Sequence, residues 1–81
     1  MANIRVFNGT GRSIRVFISK YSHNGGSDEW WKLVAGDSDT WVRYGWELLA
    51  VEFDDGDRRG IYFQASWDRT VNVYGKENIQ H

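Results

Sequence analysis

The sequence predicts an all-β fold, a small antiparallel β-sandwich or flattened barrel of six to seven short strands. Three observations predict it. Short runs alternate apolar and polar residues with period two, which puts one row on each face of a strand. No segment carries the 3.6-residue period of an amphipathic helix. Proline is absent, and the glycines fall in polar clusters between the apolar runs, where turns are expected.

The first strand is expected at Asn3–Phe7 and the second at Ser13–Tyr21, joined by a turn over Asn8–Arg12. The string IRVF stands in both, at Ile4–Phe7 and Ile14–Phe17, as on the two arms of a hairpin. Ile4, Val6, Ile14, Val16 and Ile18 share one face and read as core. Arg5, Phe7, Arg15, Phe17 and Tyr21 take the other. His23–Asp28 reads as a polar, flexible loop. A third strand follows over Glu29–Val34. Its adjacent Trp30 and Trp31 must point to opposite faces, so one is expected in the core and the other on a second surface.

Thr40–Phe53 reads as one central strand. Its even positions, Val42 to Ala50, form an unbroken apolar row. Its odd positions mix Trp41, Arg43 and Glu47, then turn apolar at Leu49, Val51 and Phe53. The second half is apolar on both faces, as in a strand covered on both sides. Gly45 stands alone inside it. Without the paired turn residues of a tight hairpin, it reads as a bulge or bend rather than a reversal. Asp54–Arg59 is a charged loop, with Arg58 and Arg59 placed to neutralise its acids. Strands at Gly60–Ala65 and Thr70–Tyr74 flank a turn that holds Trp67. The tail after Tyr74 is loosely held unless Ile79 docks. In a simple meander, Asp37–Asp39 and Trp67–Arg69 lie at one end of the domain.

The 81 residues are expected to form a single domain, 1–81. A chain of this size buries only about 60% of its unfolded surface, so the core is thin. With no cysteine, disulfides cannot compensate. The remaining staples are a partner subunit, a metal or dense packing, and five Trp, four Tyr and four Phe are expected to supply part of the compensation. Net charge is −1 with no basic stripe, which argues against nucleic acid as partner. No apolar run approaches the roughly 20 residues that span a bilayer, so no membrane insertion is expected. The absence of a signal-like start and of cysteine points to a cytoplasmic protein.

Enzyme chemistry finds little footing. His23 lies in a loop and His81 at the end, neither in a nucleophile–base arrangement. No phosphate-binding glycine motif occurs. Asp54, Asp55 and Asp57 surround Gly56 but miss the EF-hand spacing. The expectation is therefore a non-enzyme with no cofactor and no metal site. What remains is aromatics beside short polar groups, the chemistry of sugar recognition. A Trp face matches a sugar's C–H patch, and carboxylate and guanidinium groups match its hydroxyls. Trp67, Asp68 and Arg69 offer all three in one turn. Asp37, Asp39 and Trp41 join them if the meander holds. Trp67 also fits a cap on the core, and Trp41 and Trp46 fit the core itself. A second possible cradle is His23, Asn24, Asp28 and Trp30. SDEW at Ser27–Trp30 recurs as SDTW at Ser38–Trp41, which reads as turn chemistry or as a duplicated ligand cradle.

Taken together, NGTGRSIRVFISKY, GSDEWW and SDTWVRYGWELLAVEF resemble the small cysteine-free lectins of mushroom fruiting bodies, of the α-galactosyl-binding kind. The resemblance implies a fungal, metal-independent lectin that binds galactosyl glycans, acts as a homodimer and leaves the cytoplasm, if at all, without a leader. The alternative is a non-enzymatic interaction or structural module that uses a second aromatic face of Phe7, Phe17, Tyr62 and Tyr74.

Overall fold

The computed structural model describes residues 1–81. It is all-β, with strands β1 (Ala2–Asn8), β2 (Ile14–Ile18), β3 (Trp31–Leu33), β4 (Ser38–Arg43), β5 (Trp46–Glu52), β6 (Arg58–Gln64), β7 (Arg69–Gly75) and β8 (Asn78–Gln80). Two four-stranded sheets result, ordered β4-β1-β7-β8 and β3-β2-β5-β6. Buried apolar residues from both sheets merge into one cluster, so the sheets are the two layers of a sandwich.

The period-two pattern sets each inward face. Ile4 and Val6 of β1, Ile14, Val16 and Ile18 of β2, and Leu49 and Val51 of β5 are all buried. Arg5 and Arg15 point outward, and Phe7 and Phe17 are half-buried outside. Along Trp41–Phe53 the odd row is the buried one, Arg43 and Glu47 included. The apolar even row faces out, with Tyr44 and Trp46 about half exposed. No layer covers the outer face of β5.

Connectivity departs from the meander at several points. β1 and β2 are not a hairpin: they lie in different sheets. The Asn8 side chain shapes their connection. Its Nδ2 donates to the carbonyls of Arg12 and Leu33, and its Oδ1 accepts from the Thr10 backbone N–H and hydroxyl. Thr40–Phe53 is likewise two strands rather than one. The chain bends at Tyr44 and Gly45, and the two halves pair in different sheets, β4 with β1 and β5 with β2. Gly45 thus marks a bend that carries the chain between layers. β1 also pairs in parallel with β7, matching Ile4 to Arg69 and Val6 to Val71. Eight strands form instead of six or seven because of this split and because the tail adds β8, whose Ile79 packs on the core.

Neither tryptophan of the Trp30–Trp31 pair is in the core. Trp30 is half-buried on the outside of the second sheet, 5.6 Å from the Phe17 ring, and Trp31 is exposed. The expected second aromatic face is divided as well. Phe7 meets Tyr74 edge-on outside the first sheet, while Trp46 stacks on Tyr62 outside the second. The acids of the β5–β6 turn are held by other cations than Arg58 and Arg59. Asp54 pairs with Arg12, and Asp55 and Asp57 both hold Lys76. Arg58 turns to Glu52 and Arg59 to Glu77.

Candidate functional site

The inward face of β4 and β5 carries two charges, and they organise the site. Arg43 ends β4 and Glu47 lies in β5, and the bend at Tyr44 and Gly45 leaves both in the core, 1% and 0% exposed. Arg43 Nε lies 3.6 Å from Glu47 Oε2. Buried charges require partners, and the β2–β3 segment supplies them. Arg43 donates to the carbonyls of Ile18, Ser19, Ser27 and Val42. Glu47 accepts from the hydroxyls of Ser19 and Ser22 and from the backbone N–H groups of Tyr21 and Ser22. Burial alone would raise the Glu47 pKa. The hydrogen bonds from Ser19, Ser22 and Tyr21 outweigh it and hold the carboxyl below its ordinary value. Residues 19–27 are thereby moored across the β4–β5 corner.

The mooring creates a cleft of about 320 Å³ between the edge strands β3 and β4, lined by His23, Gly26, Ser27, Trp31 and residues 39–43. Trp31 stands on its rim, 50% exposed, whereas Trp41 is 8% exposed and serves the core. His23 Nδ1 lies 2.9 Å from the Val42 carbonyl. A carbonyl only accepts, so Nδ1 carries the proton and Nε2 of the neutral ring is an acceptor. Tyr44 steadies that ring edge-on at 5.0 Å. One oxygen of Asp39 accepts the Thr40 N–H at 2.7 Å, and the other has no protein partner. The cleft therefore offers one aromatic face, an anionic acceptor and an imidazole, all on or moored to strands.

The six sequence candidates do not converge. β4 runs antiparallel to β1 and β7 runs parallel to it, so Trp41 and Arg69 both align with Ile4 while Asp39 aligns with Val6. Asp39 and Trp41 line the cleft. Asp68 and Arg69 line a separate groove outside the first sheet, with Asn3, Arg5, Thr40 and Thr70. Asp68 Oδ1 accepts the Asn3 backbone N–H at 2.8 Å. Asp37 lies in neither: its carboxylate accepts the Ser38 N–H and its carbonyl accepts the Asn8 N–H. Trp67 also lies in neither, 60% exposed and 5.0 Å from the Arg69 guanidinium. Of the second cradle, His23 reaches the cleft and Trp31 takes the place expected of Trp30. The SDEW and SDTW echo carries the expected turn chemistry. Ser27 and Asp39 bond to nearby backbone N–H groups, and both line the cleft. Sequence reasoning missed Trp31, Thr40 and Gly26. The available signal was the inward Arg43–Glu47 pair, which demanded a polar segment folded over it.

Compared with family models, with curated proteins and with solved structures, the chain matches none.

Proposed function

We propose that the protein is a non-enzymatic carbohydrate-binding module, a lectin for terminal galactose-type sugars, with the β3–β4 cleft as its primary site. The observation that supports this is the exposed Trp31 beside the free oxygen of Asp39 and the His23 imidazole. Galactose has an axial hydroxyl on one face and a continuous C–H patch on the other. Trp31 takes the patch, and Asp39 and His23 Nε2 hold hydroxyls by directional bonds. The cleft is small by ligand-site standards, which suits one terminal residue. Each site is weak, and a homodimer would raise binding to coated surfaces by avidity.

A glycan array with and without EDTA tests the reading. Expected are signals on galactose-terminated glycans that survive EDTA. Trp31→Ala and Asp39→Asn are each expected to weaken binding at least about tenfold with the thermal midpoint little changed, and Trp67→Ala to leave binding unchanged. A blank array with folded protein, or full binding by Trp31→Ala, overturns the proposal. A second reading, a protein-interaction module, draws on the outer face of β5 and β6. There Trp46 and Tyr62 stack at 5.2 Å with both rings more than half exposed. If that reading holds, a Trp46→Ala/Tyr62→Ala variant changes the mass found by light scattering and leaves the array unaffected.

A further inference from the structure

From the groove outside the first sheet we infer a second subsite, one that binds the sulfate or carboxylate group of an acidic saccharide. Three hydrogen-bonded strands build it. Thr40 of β4, Arg5 of β1 and Thr70 of β7 stand in one register row. All three are exposed, on the face opposite the buried Ile4 and Val6. The groove measures about 430 Å³ and has no apolar lining residue.

Its charges are unbalanced in a useful way. Arg5 forms no ion pair within the protein, and its guanidinium merely rests 5.9 Å from the Phe7 ring. Its donor fork is therefore free, and that fork matches a carboxylate or sulfate bidentately. Arg69 lines one end of the groove, but it aligns with the inward Ile4, and its guanidinium lies over the Phe63 and Trp67 rings and donates Nη2 to the Gln64 carbonyl; Arg5 is the free fork. The groove's one carboxylate, Asp68, already has one oxygen on the Asn3 backbone N–H. The hydroxyls of Thr40 and Thr70 flank Arg5 at the strand spacing of about 4.8 Å. The other cations are scattered over a chain of net charge −1 and form no stripe running on from Arg5, so a single anionic group fits better than a polyphosphate backbone.

Thr40 lines both the groove and the cleft. β4 is an edge strand with no strand paired beyond it, so a saccharide can straddle it at Thr40. The terminal neutral residue then sits in the cleft and its acidic neighbour meets Arg5. That linked mode rests on the cleft being a sugar site; anion binding in the groove does not.

The test has two arms. Sodium sulfate is titrated into labelled protein and followed by NMR, with sodium chloride at matched ionic strength as control. Shifts are expected at the Arg5 Nε–H and at the Thr40 and Thr70 amides, and are expected to vanish in Arg5→Gln. In the second arm, galactose-terminated glycans with sulfated or carboxylated neighbours are compared with neutral ones. A preference of at least about tenfold is expected, falling with added salt and lost in Arg5→Gln, while neutral glycans bind that variant unchanged. Sulfate shifts that are absent, or identical in Arg5→Gln, overturn the subsite whatever the glycans do. Sulfate shifts with no glycan bound retain the anion groove and dismiss the cleft. Equal binding of acidic and neutral glycans dismisses the straddling mode. A preference for sulfated but not carboxylated glycans, or the reverse, identifies the anion.

Discussion

At the scale of single residues, the pair Arg43 and Glu47 has the largest consequences. Replacing one member of a buried ion pair leaves the other charge uncompensated, which costs about 3–5 kcal/mol. Glu47→Gln keeps part of the hydrogen bonding, so a loss of about 3 kcal/mol is expected, read as a lower urea midpoint at unchanged slope. Acid should act through the same carboxyl. Its pKa in the fold is depressed from 4.5, so its stabilising contribution is complete above that value. The contribution disappears as pH falls through the lower, folded value. Glu52, held low by Arg15 and Arg58, and Asp55, held low by Lys76, act in the same direction. The wild-type protein should lose thermal stability below about pH 4, and Glu47→Gln should show a shallower decline. An identical decline would place the acid sensitivity in the surface pairs. The pair itself stood in the sequence, on the odd row of Trp41–Phe53. Its burial did not, because two charges on an otherwise apolar face fit an exposed face as well as a core. Only the serines and backbone groups of residues 18–27, brought in from elsewhere, make the core position tolerable.

Among the elements, the moored segment between β2 and β3 and the β4–β5 corner act as one piece. Gly26 fits against the Arg43 guanidinium so closely that an added Cβ would lie 2.6 Å from Nη1 and 3.2 Å from the His23 carbonyl oxygen. Arg43 is pinned and cannot yield freely. Gly26→Ala is therefore expected to cost about 1–3 kcal/mol and to weaken ligand binding in the cleft, with both losses measured on one preparation. Gly9 offers a contrasting case, because its added Cβ would meet the side chains of Tyr74 at 2.6 Å and Phe7 at 3.0 Å. Both rings lie at the surface, and the penalty of Gly9→Ala should largely vanish in a Tyr74→Ala background, a coupling that a double-mutant cycle reads directly. Strand positions were legible from alternation, to within a residue or two for β1 and β7. Partners were not. Alternation says which way a side chain points, but nothing in IRVF states that its two copies belong to different sheets. The cleft depends on that long-range choice, so the sequence offered Asp39 as a candidate but not Trp31, which lines the same cleft.

For the molecule as a whole, order comes from contacts distant in sequence. Pairings such as Ile4 with Arg69 must close long loops before they reward the chain, and folds of this kind take milliseconds to seconds. No X-Pro bond exists to isomerise, so refolding should lack the slow phase of about 10–100 s that prolines impose. Stopped-flow fluorescence of the tryptophans checks this, and a substantial slow amplitude would instead point to association of subunits. The parallel docking of β1 against β7 also bears on synthesis. β1 is translated first, and its partner follows 65 residues later. At roughly 5–20 residues per second that interval is about 3–13 s. During it the nascent chain displays a strand with one edge unmet, and the β4-β1-β7-β8 sheet cannot close until β7 has been made, whereas the β3-β2-β5-β6 sheet already has all its strands at Gln64. The two layers are therefore completed in order during synthesis, the β3-β2-β5-β6 sheet first and the sheet that holds both β1 and β7 second.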